Sequence, residues 1–233
     1  LTYSLTDARA DFSISDLVTQ PDGQSCIVTE RATGERQRIC LQTPGRHNLS
    51  NGLAAIAAAR ACGVPLRDSA MALMNFVGIR RRLEVVGTAK DITVIDDFGH
   101  NPDKIAATLS TLHAYPGRLL VMWQPHGYGP LRTMGDELIA AFARSMTADD
   151  LLILPEPAFF GGTADQSVTS ADIVEGVRSA GRNAEHIGGP FLDARLPARR
   201  RLAELARPGD RILVMGARDD SLSQFAAEVL AAL

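Results

Sequence analysis

Asp97 and His100 are the two residues of this sequence whose types and spacing are best suited to chemistry. They follow the hydrophobic segment 92–95, which predicts a strand, and precede Asn101-Pro102, which predicts a helix start. A carboxylate and an imidazole at a strand's carboxyl end, near a helix N-terminus, lie where open α/β sheets bind ligands. Asp97 could accept hydrogen bonds from ribose hydroxyls. Alternatively, Asp97 only stabilises the helix N-terminus and His100 is an ordinary loop residue.

Asn48 and Asn51 form a second candidate site. They lie three residues apart at a predicted helix start, so their amides share one face of the helix. A planar amide offers one donor and one acceptor and can bind the edge of adenine. The spacing alone favours the alternative, in which Asn48 caps the helix and Asn51 is a surface residue.

Arg82 is a candidate for binding phosphate. It ends the basic run 80–82 and is followed by Leu83 and Glu84. A guanidinium can bind a phosphate through two parallel hydrogen bonds. The alternative is an exposed basic turn.

His126, Arg132 and Arg218 are candidate substrate-binding residues. The segment 124–132, Gln-Pro-His-Gly-Tyr-Gly-Pro-Leu-Arg, follows a predicted strand and should line the same crevice as Asp97. Its glycines and prolines predict a defined backbone path. Arg218 follows a strand and a glycine turn that lead into a helix, an arrangement suited to anions, although no Rossmann or Walker signature is present.

Other polar or aromatic positions carry weaker predictions. The segment 155–169 contains two phenylalanines between prolines and could be a lid, but a surface loop with its phenylalanines in the core is favoured. His113 and His186 are interpreted as structural or surface residues.

The elements that must position these residues alternate along most of the chain. Strands are predicted at 83–89, 92–97, 118–123, 150–154, 184–187 and 211–215, and helices at 102–113, 132–145, 170–180, 193–206 and 221–232. Alternating strands and helices with apolar strands predict an α/β fold with a mostly parallel, Rossmann-like sheet.

The first part of the chain has a different pattern. Segments 25–30 and 36–41 predict a hairpin around Ala32-Thr33-Gly34. Helices are predicted at 48–61, with Asn48 as a plausible N-cap, and at 66–77. We therefore place a domain boundary at 78–80 and predict two domains, 1–79 and 80–233.

Composition excludes several classes of function. A net charge of −3 gives no electrostatic basis for nucleic-acid binding. The three cysteines form no Cys-x-x-Cys pair, which argues against a metal site and favours a reduced, cytoplasmic compartment. Neither a signal sequence nor an apolar run of about 18 residues is present, so no membrane partner is expected. Because the chain begins at Leu1 rather than Met, we expect it to be part of a longer protein.

Four segments together resemble the C-terminal half of the Mur ligases, which couple ATP cleavage to amide-bond formation in peptidoglycan precursors. The resemblance is specific at 45–59 (Gly-Arg-His-Asn-x-x-Asn-x-x-Ala-Ala-x-Ala) and at 81–104, and it is partial at 124–132 and 213–222. It implies that 1–79 is the end of the central ATP-binding domain of that family. It also implies that 80–233 is the Rossmann-like C-terminal domain.

The resemblance also implies roles for individual residues. Asn48 and Asn51 would contact adenine, which reverses the preference from spacing alone, while Arg82 would reach phosphate and Asp97 the ribose.

For the acceptor, the resemblance implies that His100 and Arg132 are catalytic residues and that His126 and Arg218 bind substrate. In the ligases that add L-alanine, two arginines thought to receive the amino-acid carboxylate fall on Gly127 and Pro130 of this sequence. This departure leaves the acceptor open between an amino acid and a peptide.

The reaction implied by the resemblance is the joining of an amino acid or peptide to UDP-N-acetylmuramate, a nucleotide sugar, through an acyl phosphate. It is most similar to the alanine-adding and tripeptide-recycling branches of the family and would require ATP and Mg²⁺. This chain contains no Gly-x-x-x-x-Gly-Lys-Ser/Thr segment, and the family's metal carboxylates lie mostly in the preceding part, so the chain alone is expected to be inactive.

Two alternatives remain open. A folylpolyglutamate-synthetase-like ligase is favoured by the His-Asn-Pro sequence at 100–102. A non-catalytic Rossmann-like binding domain is favoured by the two absent arginines.

Overall fold

The computed structural model of the protein describes all residues except 22, 159–162, 164, 190–192 and 218. It divides into two compact units, Leu1–Ile79 and Arg80–Leu233.

The first unit is a four-stranded sheet with two helices. Its elements are β1 (Tyr3–Ser4), β2 (Phe12–Gln20), β3 (Gly23–Glu30), β4 (Arg36–Leu41), α1 (Arg46–Ala61) and α2 (Leu66–Met74). The strand order is β1-β2-β3-β4, with β1 parallel to β2 and the other pairs antiparallel. The predicted hairpin is confirmed as β3 and β4. Alternate residues of the strands and one face of α1 form a shared core that includes Val28, Ile39 and Leu53.

Two helix predictions in this unit were wrong at their ends. Helix α1 begins at Arg46 with Gly45 as its N-cap, so Asn48 lies inside the first turn and is not the cap. Gly45 has a φ of +97°, a backbone conformation that favours glycine over a capping side chain. Helix α2 ends at Met74 rather than at 77, because the chain tightens there into three-residue turns, with Phe76 N donating to Leu73 O at 3.1 Å.

The second unit is a three-layer α/β fold. Its elements are β5 (Glu84–Ala89), β6 (Ile92–Asp97), α3 (Pro102–His113), β7 (Leu119–Gln124), α4 (Tyr128–Ser145), β8 (Leu151–Pro155), α5 (Ser170–Ser179), β9 (Asn183–Ile187), α6 (Arg195–Leu205), β10 (Arg211–Gly216) and α7 (Leu222–Ala231). The strand order is β5-β6-β10-β7-β8-β9, in which only β5 runs antiparallel to its neighbour. The predicted mostly parallel Rossmann-like sheet is confirmed.

Alternating side chains give this sheet a core on each face. In β7, Val121 and Trp123 belong to the core shared with α3, α4 and α5, whereas Leu120 and Met122 belong to the core shared with α6 and α7. Strands buried on both faces are continuous runs of apolar residues, which is why the sequence of β7 shows no polar alternation.

The start of α4 differs from the prediction. The helix begins at Tyr128, four residues before the predicted start at 132, and Gly127 is its N-cap with a φ of +146°. Pro130 lies in the first turn, where a backbone N–H has no partner inside the helix and proline is tolerated. The glycine-rich segment is therefore partly helical.

The sheet has a topological switch point between β6 and β10. Helix α3, which follows β6, packs on one face, and α7, which follows β10, packs on the other. The chain therefore leaves these adjacent strands in opposite directions and opens a crevice at their carboxyl ends, where such sheets bind ligands.

Candidate functional site

Asp97, the last residue of β6, is buried and its carboxylate accepts three hydrogen bonds. Oδ2 accepts from the backbone N–H of Leu83 at 2.9 Å, while Oδ1 accepts from Gly99 N at 2.8 Å and Thr108 Oγ1 at 3.1 Å. Asp97 thus ties the end of β6 to α3 and to the segment that precedes β5. One of the about four lone-pair positions of the carboxylate remains for a ligand.

Arg82 is an exposed cation on a fixed backbone. Its guanidinium carbon lies 5.2 Å from the centroid of the Phe98 ring. The backbone is held on both sides, because Arg81 O accepts from Phe98 N at 2.8 Å and Leu83 N donates to Asp97. Within the described part of the chain Arg82 has no hydrogen bond or ion pair, so its charge is available to an anion.

Arg81 was missed by sequence reasoning, although it is the buried arginine of the basic run. Nη2 donates to Gly216 O at 2.8 Å, Nη1 donates to Asp219 O at 3.1 Å, and Nε lies 3.4 Å from Asp96 Oδ2. Three consecutive arginines give no signal that would single out one of them. The φ of +59° at Arg81, which turns its side chain into the unit, is not encoded by residue type.

Asp96 lies beneath the crevice as the charge partner of Arg81. It also accepts from Ser223 Oγ of α7 at 2.7 Å. Burial raises the pKa of the Asp96 carboxyl, while the hydrogen bond from Ser223 and the charge of Arg81 act in the opposite direction. This carboxylate is committed to internal partners.

His100 and His126, which follow the carboxyl ends of β6 and β7, lie side by side. Their rings are edge to face, with centroids 5.5 Å apart. His100 Nδ1 lies 3.0 Å from Phe98 O. Because a carbonyl only accepts, Nδ1 carries a hydrogen in this contact, and Nε2 is the ring nitrogen that remains for a ligand.

The loop that carries His126 is joined to the end of β8. Gln124 Nε2 donates to Glu156 O at 2.7 Å, and Ala158 N donates to Pro125 O at 3.0 Å. Burial, and next to it the charge of Glu156, raises the pKa of the Tyr128 hydroxyl. These hydrogen bonds join the polar ends of β7 and β8 beside the crevice.

The two histidines interpreted as structural have internal partners. His113 Nε2 lies 2.9 Å from Asp150 Oδ2, and His186 Nε2 lies 2.7 Å from Glu156 Oε1.

Arg132 lies on the second turn of α4, at the rim of a groove of about 590 Å³ between α4 and the start of α5. Its Nη1 is 3.1 Å from Asp165 Oδ2, and both side chains are about half exposed, at 53% and 52%. The backbone N–H of Ser167, its side chain and then Arg132 lower the pKa of Asp165. This exposed pair leaves Arg132 able to exchange partners with a ligand carboxylate.

Two predictions lie outside the described residues. They concern Arg218 and the phenylalanines at 159–160.

Asn48 and Asn51 belong to the first unit, whereas the other described candidates belong to the second. Asn48 is half-buried, and its Nδ2 donates to Pro44 O at 2.7 Å. Asn51 is exposed one turn further along α1. Neither Oδ1 of Asn48 nor the side-chain amide of Asn51 has a hydrogen-bond partner among the described residues.

Neither a metal centre nor a membrane span is found in the part of the chain that the structure describes. Those residues contain no group of three or more His, Cys, Asp or Glu that could hold a metal ion. None of their helices combines the length and apolarity needed to cross a bilayer.

Comparison with known proteins places most of the second unit in a described family. The model of the Mur ligase glutamate ligase domain matches residues 81–218. The chain is similar to the UDP-N-acetylmuramate–L-alanine ligase of Lachnospira eligens, with 34% identity covering 94% of the chain and 46% of that ligase. The corresponding ligase of Rhizobium etli is 34% identical, covering 86% of the chain and 41% of that ligase. The chain thus spans about half the length of these curated relatives.

Solved structures share the fold at lower identity. The UDP-N-acetylmuramate–alanine ligase of Thermotoga maritima has a TM-score of 0.71 at 20% identity, covering 99% of this chain and 47% of that one. MurF from Acinetobacter baumannii has a TM-score of 0.73 at 18% identity, covering 97% and 46%. The MurF ligase of Thermotoga maritima in complex with ADP has a TM-score of 0.63 at 14% identity, covering 96% and 46%.

Proposed function

Because this chain belongs to the Mur ligase family, we propose that it is the C-terminal part of an ATP-dependent ligase that joins an amino acid or peptide to UDP-N-acetylmuramate. The observation that carries the proposal is the presence of Arg82 and His100 at the switch point of the sheet. Both residues lie within the part of the chain that matches the family model. Arg82 is an exposed cation that has no ion pair with any described residue, and His100 presents a ring nitrogen beside His126. One group suits a phosphate and the other suits an amine.

We propose that residues 1–79 are the end of the central ATP-binding domain and that 80–233 form the C-terminal domain. The whole protein would act in the cytoplasm on small molecules: a nucleotide sugar, ATP, and an amino acid or peptide.

The hydrogen-bonding groups that each side chain does not use internally support the proposed nucleotide contacts. Arg82 fits a phosphate because it has no internal anion partner among the described residues. Asp97 fits a ribose hydroxyl only through its last acceptor position, because three are used internally. Asn48 and Asn51 fit adenine through the amide groups that remain unused.

ATP would supply the phosphoryl group that converts the donor carboxylate into an acyl phosphate. The acceptor amine would then attack the acyl carbon, and phosphate would leave. The acceptor amine must lose a proton before it can attack, because a protonated amine is not a nucleophile. We assign His100 Nε2, with His126 beside it, to accept that proton. Arg132 and Arg218 would bind the acceptor carboxylate, and positioning of these charges would supply much of the rate.

Mg²⁺ would be held mainly by residues outside this chain. The described residues offer no three-ligand cluster, and in the second unit Asp96 and Asp97 already bind internal donors.

Similarity to the L-alanine-adding ligases does not by itself identify L-alanine as the acceptor. Gly127 has a φ of +146°, so an arginine at that position would be strained, and Pro130 is fixed in the first turn of α4. This difference also favours a second candidate function, a non-catalytic Rossmann-like binding domain.

The proposal is tested by ADP formation by the full-length protein with UDP-N-acetylmuramate and, in turn, L-alanine, other amino acids and the murein tripeptide. ADP formation that requires both the nucleotide sugar and one acceptor would support the ligase and identify the acceptor. Turnover with a pteridine substrate instead would support a folylpolyglutamate-synthetase-like ligase. Absence of turnover with every pair would support the non-catalytic domain.

A further inference from the structure

We propose that Arg81 is a positioning residue that couples the backbone at Gly216 and Asp219, at and just after the end of β10, to the neighbouring Arg82. The proposal deepens the proposed function and rests on it for the identity of the ligands. The coupling itself is a property of this chain and can be measured without any substrate.

All three nitrogens of the Arg81 guanidinium contact internal partners. It is only 8% exposed, and it donates to the carbonyls of Gly216 and Asp219, which are 135 and 138 residues away in the chain. Its charge faces Asp96 at 3.4 Å. Arg81 thus directs three of its five N–H groups to internal partners and is almost completely buried, so we assign it an effect on binding through the groups that it holds.

On one side, Arg81 fixes the backbone that carries Arg82. Its N–H donates to Glu84 Oε2 at 2.8 Å, and its carbonyl accepts from Phe98 N at 2.8 Å. The guanidinium carbons of Arg81 and Arg82 lie 5.0 and 5.2 Å from the centroid of the same Phe98 ring. A shift of Arg81 would therefore displace Phe98 and, with it, the ring that the Arg82 guanidinium contacts.

On the other side, Arg81 fixes the loop after β10. Asp219 accepts through its side chain from Ser221 and Arg195, and its carbonyl accepts from Leu222 N at 3.2 Å. Gly216 has a φ of +153°, and a Cβ there would lie 2.7 Å from Gln124 O, so only glycine can turn its carbonyl toward Arg81. The sequence of this loop includes Arg218, the second proposed anion-binding residue.

One buried guanidinium therefore joins the segment that carries Arg82 to the backbone at Gly216 and Asp219. A ligand that orders either segment would favour the ordered state of the other, since coupling between sites is reciprocal.

Hydrogen exchange on this chain tests the coupling. The variants are Arg81→Gln, Arg81→Lys and, as a matched control, the exposed Arg80→Gln. We expect exchange at the amides of Phe98 and Leu222 to become about tenfold faster in both Arg81 variants. The hydrogen bonds of Arg81 that oppose opening of the two segments are lost or weakened in these variants. Arg80→Gln should leave both unchanged.

Asp219→Asn supplies the reverse test from the loop side. It should accelerate exchange at Phe98 when Arg81 is present and should add nothing at Phe98 in the Arg81→Gln background. The proposal is overturned if Asp219→Asn never affects Phe98. It is also overturned if the Arg81 variants accelerate exchange equally throughout the unit, which is the signature of a purely structural residue.

Kinetics of the full-length protein give a second readout. Arg81→Lys should raise KM for ATP and for the acceptor together, each about tenfold, because one charge without the planar fork cannot hold both segments. A variant that merely loses folded protein would lower kcat and leave both KM values unchanged. If the full-length protein shows no ATP turnover, the proposed function fails, while the exchange experiment still decides the coupling.

Discussion

Asp97 Oδ2 accepts a hydrogen bond from the backbone N–H of Leu83 at 2.9 Å, and this contact joins the last residue of β6 to the segment that presents Arg82. Leu83 has a φ of +51°, an uncommon conformation for a leucine, and the bond helps to hold it. In the second unit, the carboxylate proposed to contact ribose therefore also sets the position of the cation proposed to contact phosphate.

Replacement of Asp97 by Asn should destabilise the chain as well as weaken nucleotide binding. An amide cannot accept from Leu83, Gly99 and Thr108 at once, so we expect the free energy of unfolding to fall by about 2–3 kcal/mol. Urea unfolding would measure this loss, with Asp103→Asn, an exposed carboxylate of α3, as the control. Unchanged stability of Asp97→Asn would contradict the bridging role.

Arg82→Gln should affect ligand binding without affecting stability. The side chain is exposed and forms no ion pair with a residue that the structure describes, so the free energy of unfolding should change by no more than about 0.5 kcal/mol. In the full-length protein, KM for ATP should rise about tenfold or more through the loss of a charge-assisted contact. Arg80→Gln is the matched control, and equal effects of the two substitutions would rule out a specific role for Arg82.

Gly127 and Gly129 should respond to alanine in opposite directions. Gly127→Ala places a Cβ at a φ of +146°, so we expect a loss of about 1 kcal/mol or more. Gly129 lies in α4, and a Cβ there would have open space, so Gly129→Ala should stabilise by up to about 1 kcal/mol. Thermal unfolding of both variants would test the N-terminus of α4, and stabilisation by both would mean that the helix begins elsewhere.

The capping box of α5 should make stability depend on pH. Thr169 donates to Asp172 through its N–H and hydroxyl, both at 2.7 Å, and these bonds lower the pKa of that carboxyl. Because the folded-state pKa is depressed, the contribution is present above the unfolded pKa and disappears as pH falls through the folded value.

Asp172→Asn should therefore cost about 1 kcal/mol near neutral pH. The difference from the native chain should vanish in acid, below the ordinary range for aspartate. Unfolding curves across pH, with Glu175→Gln of the same helix as control, would measure it, and a difference that persists in acid would exclude the ionised cap as its cause.

The chain alone should neither hydrolyse ATP nor form an amide bond. It contains no phosphate-binding Gly-x-x-x-x-Gly-Lys-Ser/Thr segment. The measurement is ADP release by the purified chain with substrates at saturating concentration. ATP turnover that is abolished by Asp97→Ala would refute this expectation.

The sequence by itself determined the local elements and therefore the fold class. Hydrophobic runs set the strands, so β6 ends at Asp97 and α3 begins at Pro102 behind the Asn101 cap, as predicted. These features depend on neighbours within a few residues, which a sequence displays directly. Positions that depend on a positive φ, such as the start of α4 at Gly127, were placed less well, because several backbone paths suit the same glycines and prolines.

Only the tertiary structure decided which polar residues face the crevice and which support it. Arg81 and Arg82 are identical in type, yet one is buried against Gly216 and the other is exposed over Phe98. The distinction arises because β10 inserts between β6 and β7 and brings carbonyls 135 residues away beside Arg81. Residue types and spacing show which side chains can do chemistry, but contacts between distant segments determine which of them remain available to a ligand.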